Sequence, residues 1–291
     1  MLKSLSKEIL YQTDIQMLEN KARSIRATCI KMAHDGKEGH LNGALSCVDL
    51  LIGLYYRWLN VTPEDPKRKD RDRFIFSKGH ACSSLYAVMA DRGFFPKQWI
   101  SRYAQNDSPL PSHPCIHALP VLECSSGSLG HGLGMATGMS YGLRMDGIKA
   151  RVAVLISDGE CNEGSTWEAA TFAVANRLDN LLLIVDYNRI QSVGRSDNLM
   201  GFTSLEEKYK AFGWVARTIN GNNISEIIET LKEFPFEKGR PSAIIAKTIA
   251  GAGVSFMENQ VLWHYRAPSD EDLKKALQEL SVFPIYTELN A

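Results

Sequence analysis

Through residues 5–34, apolar side chains recur at helical spacing (Ile9, Leu10, Ile15, Leu18, Ala22, Ile25, Cys29, Met32), with the charges mostly between them. This pattern predicts one or two amphipathic helices. A second helix is expected over ALSCVDLLIGLYYRWL (44–59), ending before the Pro- and charge-rich stretch TPEDPKRKDRDR. RFIFS (73–77) reads as a short strand, and SSLYAVMADRG (83–93) as a helix closed by Gly93. From 104 to 134 the periodicity is lost and Pro, Gly, His and Ser dominate. A stretch of that length without structure inside a compact domain points to a functional loop. It leads through SLGHGLGMATGMSYGLRM into a Gly-rich helix, whose glycines and Ala136 predict close packing.

Beyond residue 150 the pattern alternates. RVAVLIS (151–157), LLLIVDYN (181–188), WVARTIN (214–220) and SAIIAKT (242–248) predict strands, the first two as continuous apolar runs buried on both faces. Between and after them, STWEAATFAVANRL, SLEEKYKAFG, NISEIIETLKEF and SDEDLKKALQEL predict helices. Ser165, with Glu168 three residues on, reads as the capping box of the first of these. The expected fold class is α/β, a doubly wound parallel sheet with helices on both faces. There is no internal repeat, low-complexity segment or dividing linker, so residues 1–291 are expected to form a single domain.

Composition narrows the function classes. Lys plus Arg (33) balances Asp plus Glu (33), which argues against a nucleic-acid or anionic-membrane partner. The first residues hold no unbroken apolar run of the kind a signal peptide needs. The longest apolar stretches, such as LLLIV, are too short to span a bilayer. Six scattered cysteines without a C-x-x-C pair suit reduced thiols, so a cytoplasmic location is expected.

In an open parallel sheet, ligands bind at the carboxyl ends of the strands. SDGECNEG follows one predicted buried strand and DYNRIQ the next. Asp158 and Asn188 can therefore reach one point in space and, with a backbone carbonyl, offer hard oxygen ligands suited to magnesium. Magnesium keeps positions open for water and phosphate oxygens, so the pair predicts a diphosphate ligand. Gly159 would let the backbone approach it closely. By itself this short pattern is equally an ordinary strand-to-helix turn.

The whole stretch SDGECNEGSTWEAATFAVANRLDNLLLIVDYNRIQ closely resembles the thiamine-diphosphate motif of transketolases, and Asp158 and Asn188 are 30 residues apart (188 − 158). GHLNG (39–43), DRFIFSKGH (72–80), LPSHP around His113, SSGSLGHGLGMATGM (125–139) and AKTIAGAGVSF…LWHYRAP are similar to further segments of that family, in order, from about residue 39 to 268. The resemblance implies that Asp158, Asn188 and the carbonyl of Ile190 hold Mg2+, or another divalent cation such as Ca2+ or Mn2+. It implies that Lys78, His80, Gly159 and Lys247 lie near thiamine diphosphate, mainly at its diphosphate end, and that Gly127 and Leu129 hold its aminopyrimidine. His40, His113 and His264 would face the substrate and shuttle protons, a task suited to imidazoles with pKa near neutrality. Glu163 would face a subunit interface. His34, His117 and His131 match no family histidine and are read as structural.

Transketolases carry a pyrimidine-binding domain and a C-terminal domain after the part matched here. The resemblance thus implies a partner chain supplying the pyrimidine-binding domain and its catalytic glutamate, as in split transketolases, in an α2β2 heterotetramer acting on sugar or sugar-phosphate substrates. The implied reaction moves a two-carbon ketol unit from a ketose to an aldose. Ser157 replaces the first Gly of the family's Gly-Asp-Gly and His131 its usual Gln. Asn42-Gly43 and Tyr265 also depart from the family pattern near the expected substrate, which opens the alternative of an unusual biosynthetic sugar. Two other readings are a relative acting like deoxyxylulose-phosphate synthase, opposed by the WEA and SKGH blocks, and a silent scaffold subunit, opposed by the retained Asp158, Asn188 and histidines. A nicotinamide-binding domain is disfavoured because no G-x-G-x-x-G follows the first βα turn.

Overall fold

A computed structural model describes residues 2–201 and 203–281; residues 282–291 of the expected domain lie outside the described residues. The elements run α1 (Leu2–Gly36), α2 (Leu41–Ser46), α3 (Val48–Gly53), β1 (Arg73–Phe76), α4 (Cys82–Asp91), α5 (Gly132–Met145), β2 (Val152–Ser157), α6 (Gly164–Ala175) and β3 (Leu181–Tyr187). They continue with a small hairpin of β4 (Ile190–Gln191) and β5 (Gly194–Arg195), then α7 (Ser196–Met200), α8 (Leu205–Ala211), β6 (Val215–Asn220), α9 (Ile224–Lys232), β7 (Ser242–Lys247) and α10 (Asp270–Leu280).

The five long strands form one parallel sheet in the order β1-β2-β3-β7-β6. Along β2 and β3 every residue is buried, because successive side chains enter different cores. Ala153, Leu155, Leu182 and Ile184 pack with α1–α4, α9 and α10, whereas Val152, Val154, Leu181 and Leu183 pack with α5, α6 and α8. This two-sided burial is why the strands read as unbroken apolar runs. All the carboxyl ends share one edge of the sheet, and the candidate residues are strung along it: Lys78 and His80 just after β1, Asp158 after β2, Asn188 after β3 and Lys247 closing β7.

Several local expectations change. The first amphipathic region is one continuous helix. The second helix begins earlier, at Leu41, breaks at Cys47, whose thiol donates to the Gly43 carbonyl, and ends in a π-helical turn over Leu54–Trp58 closed by Leu59 N–H on Leu54 O. The capping box at Ser165 is not formed. α6 starts at Gly164 behind Glu163, and the Ser165 hydroxyl instead donates to the Gly130 carbonyl (2.8 Å), tying the helix to the irregular loop. A capping box does form at Ser269 with Asp272, at the start of α10. Of the α5 glycines, Gly132 packs tightly, since a Cβ there would lie 2.1 Å from Ser77 Oγ. Gly134, Gly138 and Gly142 face open space, so close packing accounts for only the first turn of that helix. Among the described residues, no helix is long and apolar enough to cross a membrane.

Candidate active site

Pairing of β2 with β3 places Ser157 opposite Asp186, and Asp158 N–H donates to Asp186 O (3.2 Å). Asp158 and Asn188 therefore leave neighbouring strands side by side. Both are buried and line one cavity of about 330 Å3 together with Gly159 and Ile190. Burial pushes the Asp158 carboxyl up to about 6 and the Asp186 charge adds to this, against the hydroxyl of Ser196 that donates to it and the nearby Lys78. The Asn188 side chain is fixed by Ile190 N–H donating to its Oδ1 (3.0 Å) and by its own amide donating to Ser46 (3.2 Å). Among the described residues no group of three or more His, Cys, Asp or Glu converges as a metal site. The donor set is instead one carboxylate, one amide and one backbone carbonyl, a hard-oxygen set too sparse to enclose an ion. That fits magnesium shared with a phosphate.

Three histidines, His40, His80 and His264, line the same cavity, and His113 packs against His40. The His40 ring centroid lies 5.5 Å from His80, 5.5 Å from His264 and 6.4 Å from His113. His40 precedes α2 with a left-handed backbone (φ 64°), which turns its ring toward the others. His113 comes from the irregular loop, and Gly127 makes room for it: a Cβ there would meet its ring at 2.7 Å. Gly127 and Leu129 line the cavity wall opposite the strand ends. The expectation of imidazole pKa values near neutrality is corrected for His40 and His264, and His80 is lowered as well. Burial first, then mutual repulsion and Lys78, hold His80 well below its usual value and His264 down to about 4; burial and His113 lower His40. The shifts favour the neutral form of these three rings.

Other placements differ from the reading of the sequence. Lys78 is wholly buried and is not part of the cavity lining, donating to the Gly43 carbonyl (2.9 Å) and to Asp186. Lys247 is exposed at the end of β7 and is not part of the cavity lining. Asn42 is buried, its amide bonded to Gln260 O (2.7 Å), and it braces a loop instead of facing substrate. Gly43, Tyr265 and Glu163 do line the cavity, Glu163 as an exposed side chain at its rim. Sequence reasoning missed Asp186, which accepts from Lys78, Ser46 and Thr248 while wholly buried. Its place in Asp-x-Asn was visible, but its partners lie far away in the chain.

The transketolase, thiamine diphosphate binding domain family matches residues 18–286. The chain is 38% identical to one of the component chains of the apulose-4-phosphate transketolase of Actinobacillus succinogenes, over 93% of this chain and 98% of that protein. It is 35% identical to the 6-deoxy-6-sulfo-D-fructose transketolase subunit SqwG of a Clostridium species, over 90% and 96%. The crystal structure of transketolase from Campylobacter jejuni superposes with a TM-score of 0.85 at 28% identity, covering 93% of this chain and 43% of that one. The chain thus spans less than half the length of that solved transketolase, and nearly all of the two component chains. The family match over residues 18–286, with relatives 35–38% identical along nearly their whole length, makes this chain a member of the transketolase family of transferases, matching its thiamine-diphosphate-binding part.

Proposed function

We propose that this chain is the N-terminal subunit of a split transketolase, transferring a two-carbon ketol unit from a ketose donor to an aldose acceptor. In this reading Asp158, Asn188 and the carbonyl of Ile190 would hold Mg2+ beside the diphosphate end of thiamine diphosphate, and Gly159 would let the backbone approach that end. Gly127 and Leu129 hold the aminopyrimidine. The cofactor supplies the electron sink for making and breaking the carbon–carbon bond. His80 stands near the diphosphate end, and Lys78 acts through Asp186. His40, His113 and His264 orient the sugar hydroxyls and move protons to and from the substrate oxygen.

A partner chain supplies the pyrimidine-binding domain and its glutamate, with Glu163 facing the junction in an α2β2 assembly. The two component chains named above, similar in length to this one, support the divided arrangement. Their substrates, by name apulose-4-phosphate and 6-deoxy-6-sulfo-D-fructose, favour an uncommon sugar or sugar phosphate here too. Six free cysteines suit a reducing, cytoplasmic setting.

The observation that carries this reading is the convergence of Asp158 and Asn188 on a cavity shared with the imidazoles. Calorimetric titration of thiamine diphosphate, with and without Mg2+, tests it on wild type and Asp158→Ala. Binding that needs the metal and is lost in the variant is expected. Binding indifferent to Mg2+, or retained by the variant, overturns the metal assignment.

A further inference from the structure

Glu160 belongs neither to the candidate metal donors nor to the histidine cluster, yet it follows Asp158 and Gly159, which line the cavity, and bonds the loop that carries Gly127 and Leu129, which line it too. Its side chain is wholly buried. Oε1 accepts from the Ser77 hydroxyl and from Gly130 N–H (3.0 Å), whereas Oε2 is buried without a hydrogen-bond partner. The backbone of Glu160 is fixed as firmly, its N–H on Ser157 Oγ (3.2 Å) and its carbonyl under Thr166 Oγ1 (3.0 Å).

A carboxyl is not buried at such cost without a task. Helix α5 opens at Gly132, and His131 before it makes no side-chain cap. Neither Gly130 nor Gly132 leaves room for a side chain: a Cβ would stand 2.6 Å from Ser165 Oγ at the first and 2.1 Å from Ser77 Oγ at the second. Glu160 Oε1 takes the N–H of Gly130, two residues ahead of α5, so it ties the close-packed loop that leads into the helix rather than capping the helix itself. The loop it holds carries Gly127 and Leu129, one wall of the cavity; the residues before it, Asp158 and Gly159, are the other.

We propose that Glu160 is a positioning residue that sets the spacing between these two walls, so that the ring and the diphosphate of the cofactor are gripped together. The inference rests on the thiamine-diphosphate reading above. Without the carboxyl, the metal loop keeps its own tie through Asp158 N–H on Asp186 O, but the Gly127–Leu129 wall loses its bond at Gly130. Loss of grip should therefore fall on the ring half.

The test uses Glu160→Met, which keeps the volume and removes the acceptor, and Glu160→Gln, which restores an acceptor. Each is titrated with Mg2+–thiamine diphosphate and with Mg2+–pyrophosphate, and amide exchange is followed over residues 127–132. Loss of one buried hydrogen bond predicts about tenfold weaker thiamine diphosphate binding in the Met variant. Pyrophosphate affinity should stay within about twofold, exchange at Gly130 should quicken, and Gln should recover most of the loss. Ser77→Ala, which strips away only the hydroxyl donor, is a milder second variant expected to show the same selectivity at about threefold. Wild-type behaviour of the Met variant, or equal loss of both ligands, overturns the inference. If wild type binds neither ligand, the cofactor reading fails and the inference falls with it.

Discussion

His40 donates its backbone N–H to the carbonyl oxygen of His264 at 2.8 Å, joining two candidate proton carriers from opposite ends of the described chain. The bond holds because Gly39 lies flat against the next residue: a Cβ on Gly39 would stand 2.3 Å from the Tyr265 carbonyl oxygen. His40 itself has a left-handed backbone, so the rings are held at the expense of local strain. Gly39→Ala should push the two segments apart and disturb the imidazoles without touching the metal loop. In the enzyme assembled with its partner, kcat/KM is expected to fall about a hundredfold, as small misplacements of reacting groups do. Affinity for Mg2+–thiamine diphosphate should change less than about threefold. Equal losses in both would refute a role confined to the histidines.

Asp158 links function to stability through pH. Its carboxyl is raised from the ordinary 3.8 to about 6, chiefly by burial. Between those two values the folded chain binds more protons than the unfolded chain, so this group adds stability as pH falls through the window and opposes folding above it. Without metal, Asp158→Asn should therefore unfold at a higher temperature than wild type at pH 7.5, by an amount equivalent to about 3 kcal/mol. The advantage should shrink below pH 6 and be gone near pH 4. The lowered histidines act in the opposite sense, losing stability as pH falls, but they are common to both proteins and cancel in the comparison. Added Mg2+ and thiamine diphosphate should stabilise only wild type. A variant less stable than wild type at pH 7.5 without metal would show that the buried charge is well compensated.

Much of this was legible in the sequence because its signals are local. The strand runs at 152–157 and 181–187, the Asp-Gly turn and the Asp-x-Asn end each declare themselves within a few residues, and parallel pairing follows from the alternation with helices. Residue identity could not tell whether a charged side chain faces ligand or core. The side chain of Lys78 is engaged by Asp186 and that of Asn42 by the Gln260 carbonyl, partners far away in the chain. Ser165 matches a capping box, but the Gly130 carbonyl engages its hydroxyl from across the fold. The depressed imidazoles had no local signal either, since burial and mutual proximity cause the shift.

The Lys78–Asp186 pair sharpens that distinction. Both side chains are fully buried, and Asp186 also accepts from Ser46 and Thr248. Lys78→Met leaves an uncompensated buried carboxylate, a change that costs about 3–5 kcal/mol when one partner of such a pair is removed. The hydroxyl donors that remain favour the lower end. Adding Asp186→Asn should recover part of the loss, because the stranded charge disappears with its partner. Denaturant midpoints for the two single variants and the double variant measure this coupling. A Lys78→Met protein as stable as wild type, yet unable to bind thiamine diphosphate, would return the lysine to the ligand surface.

Tyr265, one of the expected departures from the family pattern, places its ring in the cavity lining. It stands edge-on to His40 (5.3 Å) and His264 (5.0 Å) and remains 63% exposed in the single chain. A ring at that place shortens the space beyond the imidazoles, where the far end of a sugar would lie, and offers a phenol to its hydroxyls. Discrimination between sugars should then depend on it, while cofactor binding should not. Tyr265→Gly in the assembled enzyme is expected to change the ratio of kcat/KM for the preferred acceptor to that for longer aldoses by about tenfold, toward the longer ones. Mg2+–thiamine diphosphate affinity should be unaltered. A ratio unmoved across an acceptor series would assign the ring to packing against the partner chain, and the choice of sugar to residues outside this chain.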